Sequence, residues 1–226
     1  MKRLLTIAAS LGVATVAFGQ GEINFANTAG ATTKVSTSSA FPGVQAGSAL
    51  TAGAGAYYYE IFWTTNTASL TSDTAASSLD PTLANGGFAE LTGVQAQSTA
   101  TAGRIAISAG GDSNGDAAIP GQGAGNTVDA VIVGWSASLG SSWTQVKADV
   151  DAVLLGGTSP VAGFYGESEV GSYILGGGST PVPYALFGTA PAAPGFVLGA
   201  LPVPEPATFA LCGLGAAALV IFRRRN

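Results

Sequence analysis

The sequence predicts an all-β fold, an antiparallel β-sandwich with one short helix, set between two apolar ends. Three observations predict it. Short runs rich in β-branched and aromatic residues recur through residues 20–201. Glycine-rich turn sequences separate them, in a chain with 33 glycines among 226 residues. Only one stretch carries a helical period.

Taken in order, residues 23–26 (Ile-Asn-Phe-Ala) alternate apolar with small or polar side chains. Residues 57–63 (Tyr-Tyr-Tyr-Glu-Ile-Phe-Trp) form an aromatic run of strand length, and residues 88–91 offer a shorter one. Residues 103–108 alternate, and 128–135 (Val-Asp-Ala-Val-Ile-Val-Gly-Trp) read as a long strand with little exposed surface. Two more candidates are 161–164 and 172–175. The turns between them are Asn85-Gly86-Gly87, Asn114-Gly115, Gly156-Gly157 and Gly176-Gly177-Gly178. Several short strands with such turns favour a sandwich. Residues 142–154 break the pattern, because Trp143, Val146, Val150 and Val153 recur at helical spacing. Ser142 and Gln145 form a capping-box pattern at the start of that helix, which is expected across an end of the sandwich. Trp135 and Trp143 are expected in the core. The Thr/Ser/Ala/Gly-rich segments 29–56 and 64–84 are expected to be long loops and sites for O-linked glycans.

The ends serve transport. Lys2 and Arg3 precede an apolar stretch over residues 4–18, and Ala17-Phe18-Gly19 supplies the small residues a signal peptidase reads. Residues 1–19 are therefore expected to be a signal peptide, cut between Gly19 and Gln20; an uncleaved anchor helix is the alternative. At the other end, the sixteen residues 207–222 carry no charge and would span about 24 Å as a helix. That falls slightly short of the ~30 Å hydrocarbon core, a gap that bilayer thinning or snorkelling arginines can close. Pro202, Pro204 and Pro206 keep the helix from starting earlier. Arg223, Arg224 and Arg225 would hold the cytoplasmic side, leaving the body outside.

Val203-Pro204-Glu205-Pro206, the short span and the terminal arginines together resemble the PEP-CTERM sorting signal of Gram-negative bacteria. The resemblance implies a division into signal peptide (1–19), extracellular domain (20–201) and sorting signal (202–226). Within the last, it implies a motif at 203–206, a transmembrane segment at 207–222 and a basic cluster at 223–225. It makes Pro204, Glu205 and Pro206 the recognition motif of exosortase, a membrane-embedded cysteine transpeptidase, and Arg223, Arg224 and Arg225 the retention cluster. An ordinary single-span anchor that happens to carry Pro-Glu-Pro is the alternative. The order of motifs in the body, from Gly21-Glu22-Ile23-Asn24-Phe25-Ala26-Asn27 to Phe164-Tyr165-Gly166-Glu167-Ser168, is similar to PEP-CTERM surface proteins of verrucomicrobial and planctomycetal type. That second likeness implies location and organisation, and no activity.

Composition removes several function classes. Between the ends the body keeps three basic residues, Lys34, Arg104 and Lys147, against twelve acids, for a net charge of −9. Nucleic acid is a poor partner for such a surface. Histidine is absent, and the lone cysteine, Cys212, lies in the apolar tail. Ser-His-Asp and Cys-His catalysis, histidine metal sites and disulfide stapling are all excluded. The chain is accordingly expected not to be an enzyme.

Few residues remain as candidate sites. Asp112, Asn114 and Asp116 place oxygen ligands at alternate positions, as a calcium loop does. Ala117 and Gly123 then occupy positions where such a loop wants glycine and glutamate, and a polar Asn-Gly turn uses the same residues. Glu167 and Glu169 form a spaced carboxylate pair of the kind glycosidases use, although twelve acids make chance pairs common. Tyr58 and Phe62 share one strand face; exposed, they would make a sugar-stacking platform, and covered, they would be core. The composite expectation is a non-catalytic surface or extracellular-matrix component associated with exopolysaccharide. Exosortase and signal peptidase are its expected processing partners. A carbohydrate-binding module is the alternative.

Overall fold

The computed structural model describes residues 20–27, 35–39, 48–49, 53–65, 88–177, 183–187 and 195–203. The expected signal peptide, the 204–206 motif, the 207–222 span and the arginine cluster lie outside these residues, as does most of the 64–84 segment. The described residues are mostly β-structure with one short helix, in three layers.

The middle layer is built on β9 (Thr127–Ser136), whose near-continuous apolar sequence suits a strand covered on both faces. Val128, Ala130 and Ile132 point to one core, while Val131, Val133 and Trp135 point to another. On one side β9 pairs antiparallel with β4 (Tyr57–Thr64) over eight residues, from Tyr57↔Ser136 to Thr64↔Asp129. On its other side two short strands share its length: β10 (Phe164–Glu167) opposite Val133 to Trp135, and β11 (Gly171–Ile174) opposite Thr127 to Ala130. Buried Ser168 bridges their junction; its N–H donates to the Ile132 carbonyl at 2.8 Å, and its Oγ accepts from the Ile132 N–H at 2.9 Å. A single serine thereby satisfies the backbone of β9 where the ladder is interrupted.

Beyond β4 the sheet continues through β5 (Ala89–Glu90), β6 (Gln95–Ser98) and β7 (Ile105–Ala109). Beyond β10 it continues through β13 (Val197–Ala200), β2 (Ser36–Ser38) and β3 (Ser48–Ala49), making ten strands in all. A second sheet of three strands, β12 (Tyr184–Ala185), β1 (Gln20–Asn24) and β8 (Asp116–Gly123), packs against one face of the first. Ile23, Phe25, Ala117 and Ile119 from this small sheet meet Tyr59, Ile61, Ile105, Ile132, Tyr173 and Leu198 in a common core. The opposite face of the large sheet is covered by the helix α1 (Trp143–Leu154), which buries Trp143, Val146, Val150 and Val153 against Phe62, Val133, Trp135 and Tyr165.

Several expectations change in detail. The pairing is antiparallel except for β1 with β12 and β2 with β13, which run parallel. The helix covers a sheet face rather than an end, because β4, β9 and β10 all present apolar side chains there. The capping box does not close in its reciprocal form. Ser142 makes no side-chain cap, and Gln145 Oε1 accepts instead from the Ser141 N–H at 2.8 Å, one residue further back. The strand expected at 161–164 begins only at Phe164, since Ser159 Oγ holds Val161 in a local turn. The 29–56 segment, expected as loop, contributes β2 and β3.

Asn27 ties the small sheet to the large one. Its side chain is buried, donates to the Gly103 carbonyl at 2.9 Å and accepts from the Ile105 N–H at 2.6 Å. The Arg104 guanidinium also donates to the Asn27 carbonyl. Asn27→Ala would leave the buried Ile105 N–H without a partner and the Gly103 carbonyl with only its bond from the Val35 N–H, at a cost of about 2 kcal/mol. Urea denaturation of the variant should show a lower midpoint with an unchanged slope. Gly166→Ala should cost roughly 3 kcal/mol, because a Cβ there would sit 2.3 Å from the Val197 carbonyl oxygen and drive β13 away from β10.

Candidate functional site

The described chain leaves the body through β13. Ala200 and Gly199 pair with Phe164 and Tyr165 of β10, and Val197 to Gly199 pair with Ser36 to Ser38 of β2. Leu198 is fully buried in the inter-sheet core, and Leu201, 5% exposed, sits beneath α1. Two backbone bonds then hold the last turn of chain. The Leu201 N–H donates to the Gly163 carbonyl at 2.8 Å, and the Ser159 N–H donates to the Pro202 carbonyl at 2.8 Å. Pro202 and Val203 are exposed. A single residue therefore separates the pinned carbonyl of Pro202 from Pro204, where the expected recognition motif begins. Anything that engages Pro204, Glu205 and Pro206 works within about 14 Å of the Pro202 carbonyl, the most that residues 203–206 can reach.

A second feature lies under the start of the helix. Glu60 is 5% exposed, in β4 opposite Val133. Gln95 Nε2 donates to its Oε1 at 3.1 Å and also to the Ser141 carbonyl at 2.8 Å, linking the carboxyl to the turn that begins α1. Its Oε2 is buried without a hydrogen bond. Burial pushes the Glu60 carboxyl up to about 7; Gln95 and the Trp143 backbone N–H pull it down, and the nearby Glu90 carboxylate pushes it further up. The strand pattern noted at residues 57–63 contains the signal for this group, an acid inside an aromatic run. Its burial depends on α1 lying across the face, which local sequence does not specify.

The other candidate residues are dispersed. Phe62 is 1% exposed, with its ring 5.3 Å from that of Trp143 and nearly perpendicular to it. Tyr58 is half-buried, its ring 6.3 Å from Trp135. Of the two readings of this strand face, Phe62 takes the covered one, packed against Trp143 of α1, while Tyr58 lies half-buried at the margin of the same cluster. Trp135 and Trp143 belong to the same cluster, with their rings 6.1 Å apart. Glu167 is half-buried in β10, and Glu169 is exposed in the link to β11. Gln20 opens β1, whereas Gly19 lies outside the described residues.

Asp112, Asn114 and Asp116 form the turn between β7 and β8. Asp112 Oδ1 accepts from the N–H groups of Asn114 and Asp116 at 2.8 and 2.9 Å, and its Oδ2 accepts from Asn114 Nδ2 at 3.1 Å. These donors, Asp116 N–H first, hold the Asp112 carboxyl below the usual carboxylate range. Asp116 Oδ1 accepts from Asn24 Nδ2 at 2.7 Å. Gly115 at φ +84° completes an Asn-Gly turn. Both Asp112 carboxylate oxygens thus accept from donors within the turn, and Asp116 Oδ1 accepts from Asn24 of β1. Among the described residues no group of three or more His, Cys, Asp or Glu could hold a metal, and no helix is long and apolar enough to cross a membrane.

Glu60 makes stability depend on pH. Its folded value of about 7 lies above the ordinary 4.5, so the folded state keeps a proton that the unfolded chain releases. This contribution falls as pH rises from about 4.5 to about 7 and is level above that. Glu60→Gln should flatten the decline and raise stability at pH 8 by roughly 1–3 kcal/mol. Thermal unfolding followed between pH 4 and 8 reads both effects, and an unchanged slope in the variant would assign the decline to another group.

No curated protein and no solved structure matches the chain. One family model does match, and it falls on the segment that follows the pinned end of β13. Residues 202–225 carry a PEP-CTERM protein-sorting motif.

Proposed function

We propose that this chain is a non-catalytic surface protein, secreted through an N-terminal signal and processed at its C-terminus by an exosortase-type transpeptidase. The observation that carries the reading is the sorting motif at residues 202–225, with Pro204-Glu205-Pro206, an apolar run and three arginines in order. In this reading signal peptidase cuts between Gly19 and Gln20, and residues 207–222 cross the inner membrane. Arg223, Arg224 and Arg225 hold the cytoplasmic end until the transpeptidase acts near Glu205. The body is then delivered to the cell surface or its matrix.

The role there is that of a structural component among exopolysaccharides. Absent histidine, the single cysteine outside the body and the net charge of −9 over residues 20–204 support a non-catalytic role in a hydrated polymer. So does a large sheet whose conspicuous aromatic residues are spent on packing. Calcium and the Glu167–Glu169 pair have no part in this reading.

Intact-mass and C-terminal peptide analysis of protein from fractionated cells tests it. The wild-type protein should lose Arg223 to Arg225 and the apolar run, and appear in the surface or polysaccharide fraction. Glu205→Ala should retain the full tail and stay in the membrane fraction. An unprocessed wild-type tail in the membrane would make the protein an ordinary single-span surface domain.

A further inference from the structure

Four large apolar side chains stand exposed on the described residues: Leu155 at 83%, Val161 at 41%, Val203 at 41% and Ile174 at 53%. Three of them share one locality. Leu155 ends α1, Val161 lies in the loop that follows, and between them the Ser159 N–H holds the Pro202 carbonyl at 2.8 Å, one residue before Val203. Ile174 lies apart, opposite Thr127 at the far end of β9. An exposed apolar group at the point where the chain departs marks a contact surface.

The two chain segments that form this locality carry no charge of their own, and Asp151, one helical turn before Leu155, is paired with Lys147 at 3.0 Å. No Asp, Glu, Lys or Arg occurs from residue 152 to 166, nor from 170 to 204, although the body is acidic elsewhere. A surface without ionised side chains enters a bilayer interface without the cost of desolvating them. Its reach also fits. Four residues, 203–206, separate the Pro202 carbonyl from Ala207, and fully extended they cover no more than about 14 Å. The headgroup layer on each side of the hydrocarbon core is about 5–8 Å deep. A body pinned at Pro202 to a span starting at Ala207 must therefore touch the membrane or stand almost upon it.

We propose that the loop of residues 155–161, with Pro202 and Val203, is a membrane-contact surface that seats the body on the lipid headgroups around the exit of its own tail. This rests on the reading of residues 207–222 as a span. Seating fixes the height and tilt of the sandwich, so the recognition motif lies at a constant depth for a membrane-embedded enzyme. The occupant is the lipid surface; a protein partner on the same loop would leave the lipid-dependent signals described next absent.

Site-directed labelling of the full-length chain in phosphatidylcholine vesicles tests the proposal. An environment-sensitive fluorophore is placed at native Cys212, or at Leu155→Cys, Val161→Cys or Ile174→Cys in a Cys212→Ser background. Headgroup-region nitroxide lipids serve as quenchers for the labels at 155, 161 and 174, and acyl-chain nitroxide lipids for the label at 212. Expected are a blue shift and quenching at 155 and 161, neither at 174, and burial of the label at 212. Water-like emission at 155 and 161 with label 212 buried overturns the seating while leaving the span intact. Equal quenching at 155, 161 and 174 also overturns it, by removing its specificity. A label at 212 that lipid nitroxides do not quench overturns the span itself. All three new cysteines stand at exposed positions, and an unchanged near-UV spectrum verifies that each variant is folded.

Discussion

The strand β9 is the constraint on which the rest depends. A β-strand with apolar side chains on both faces has no solvent side to offer, so two separate covers are required. The small sheet supplies one, over Val128, Ala130 and Ile132, and α1 supplies the other, over Val131, Val133 and Trp135. Neighbouring strands inherit the arrangement. Gly134 has no side chain because Tyr59 and Leu198 already fill its place; a Cβ there would lie 2.7 Å from the tyrosine ring. Hydrogen bonding is likewise arranged around this strand, with the Ser168 hydroxyl filling the break between β10 and β11.

Strong local signals were legible, and long-range ones were not. The aromatic run became β4, the long apolar run became β9, and the period of Trp143, Val146, Val150 and Val153 gave the buried face of α1. Weakly marked strands were missed. β8 contains Pro120 and Gly121, yet it is a strand because it pairs only with β1 and bulges where those residues fall. β2 reads Ser-Thr-Ser, and nothing local distinguishes it from the loop around it; its place follows from its parallel partner β13. The sorting motif was legible because its features are contiguous. Tyr58 and Phe62 were ambiguous because strand alternation assigns two faces without saying which is covered, and the helix that decides the matter is eighty residues away in the chain.

Glu60 and the apolar exit loop illustrate a second kind of information that alternation does not carry. One is a charge-bearing group in an apolar layer, stabilised by Gln95 and the beginning of α1 only in part. The other is apolar surface left in water at Leu155 and Val161. Both depart from the pattern that lowers free energy most directly. The first departure makes the helix-covered layer responsive to protons. The second is confined to the end of the body from which the sorting segment departs.

The position of β13 has a consequence for the order of events during export. This strand is the last described element of the chain, yet it lies inside the large sheet, between β2 and β10. Every earlier strand emerges from the translocation channel before it, and β2 and β3 can join the sheet only through it. Completion of the native sheet therefore waits for residue 200, and, with residues 207–222 taken as the proposed span, that is also the point at which transit would halt. On that proposal folding and arrest would coincide, and a body presented for tail removal would be one whose architecture has already closed.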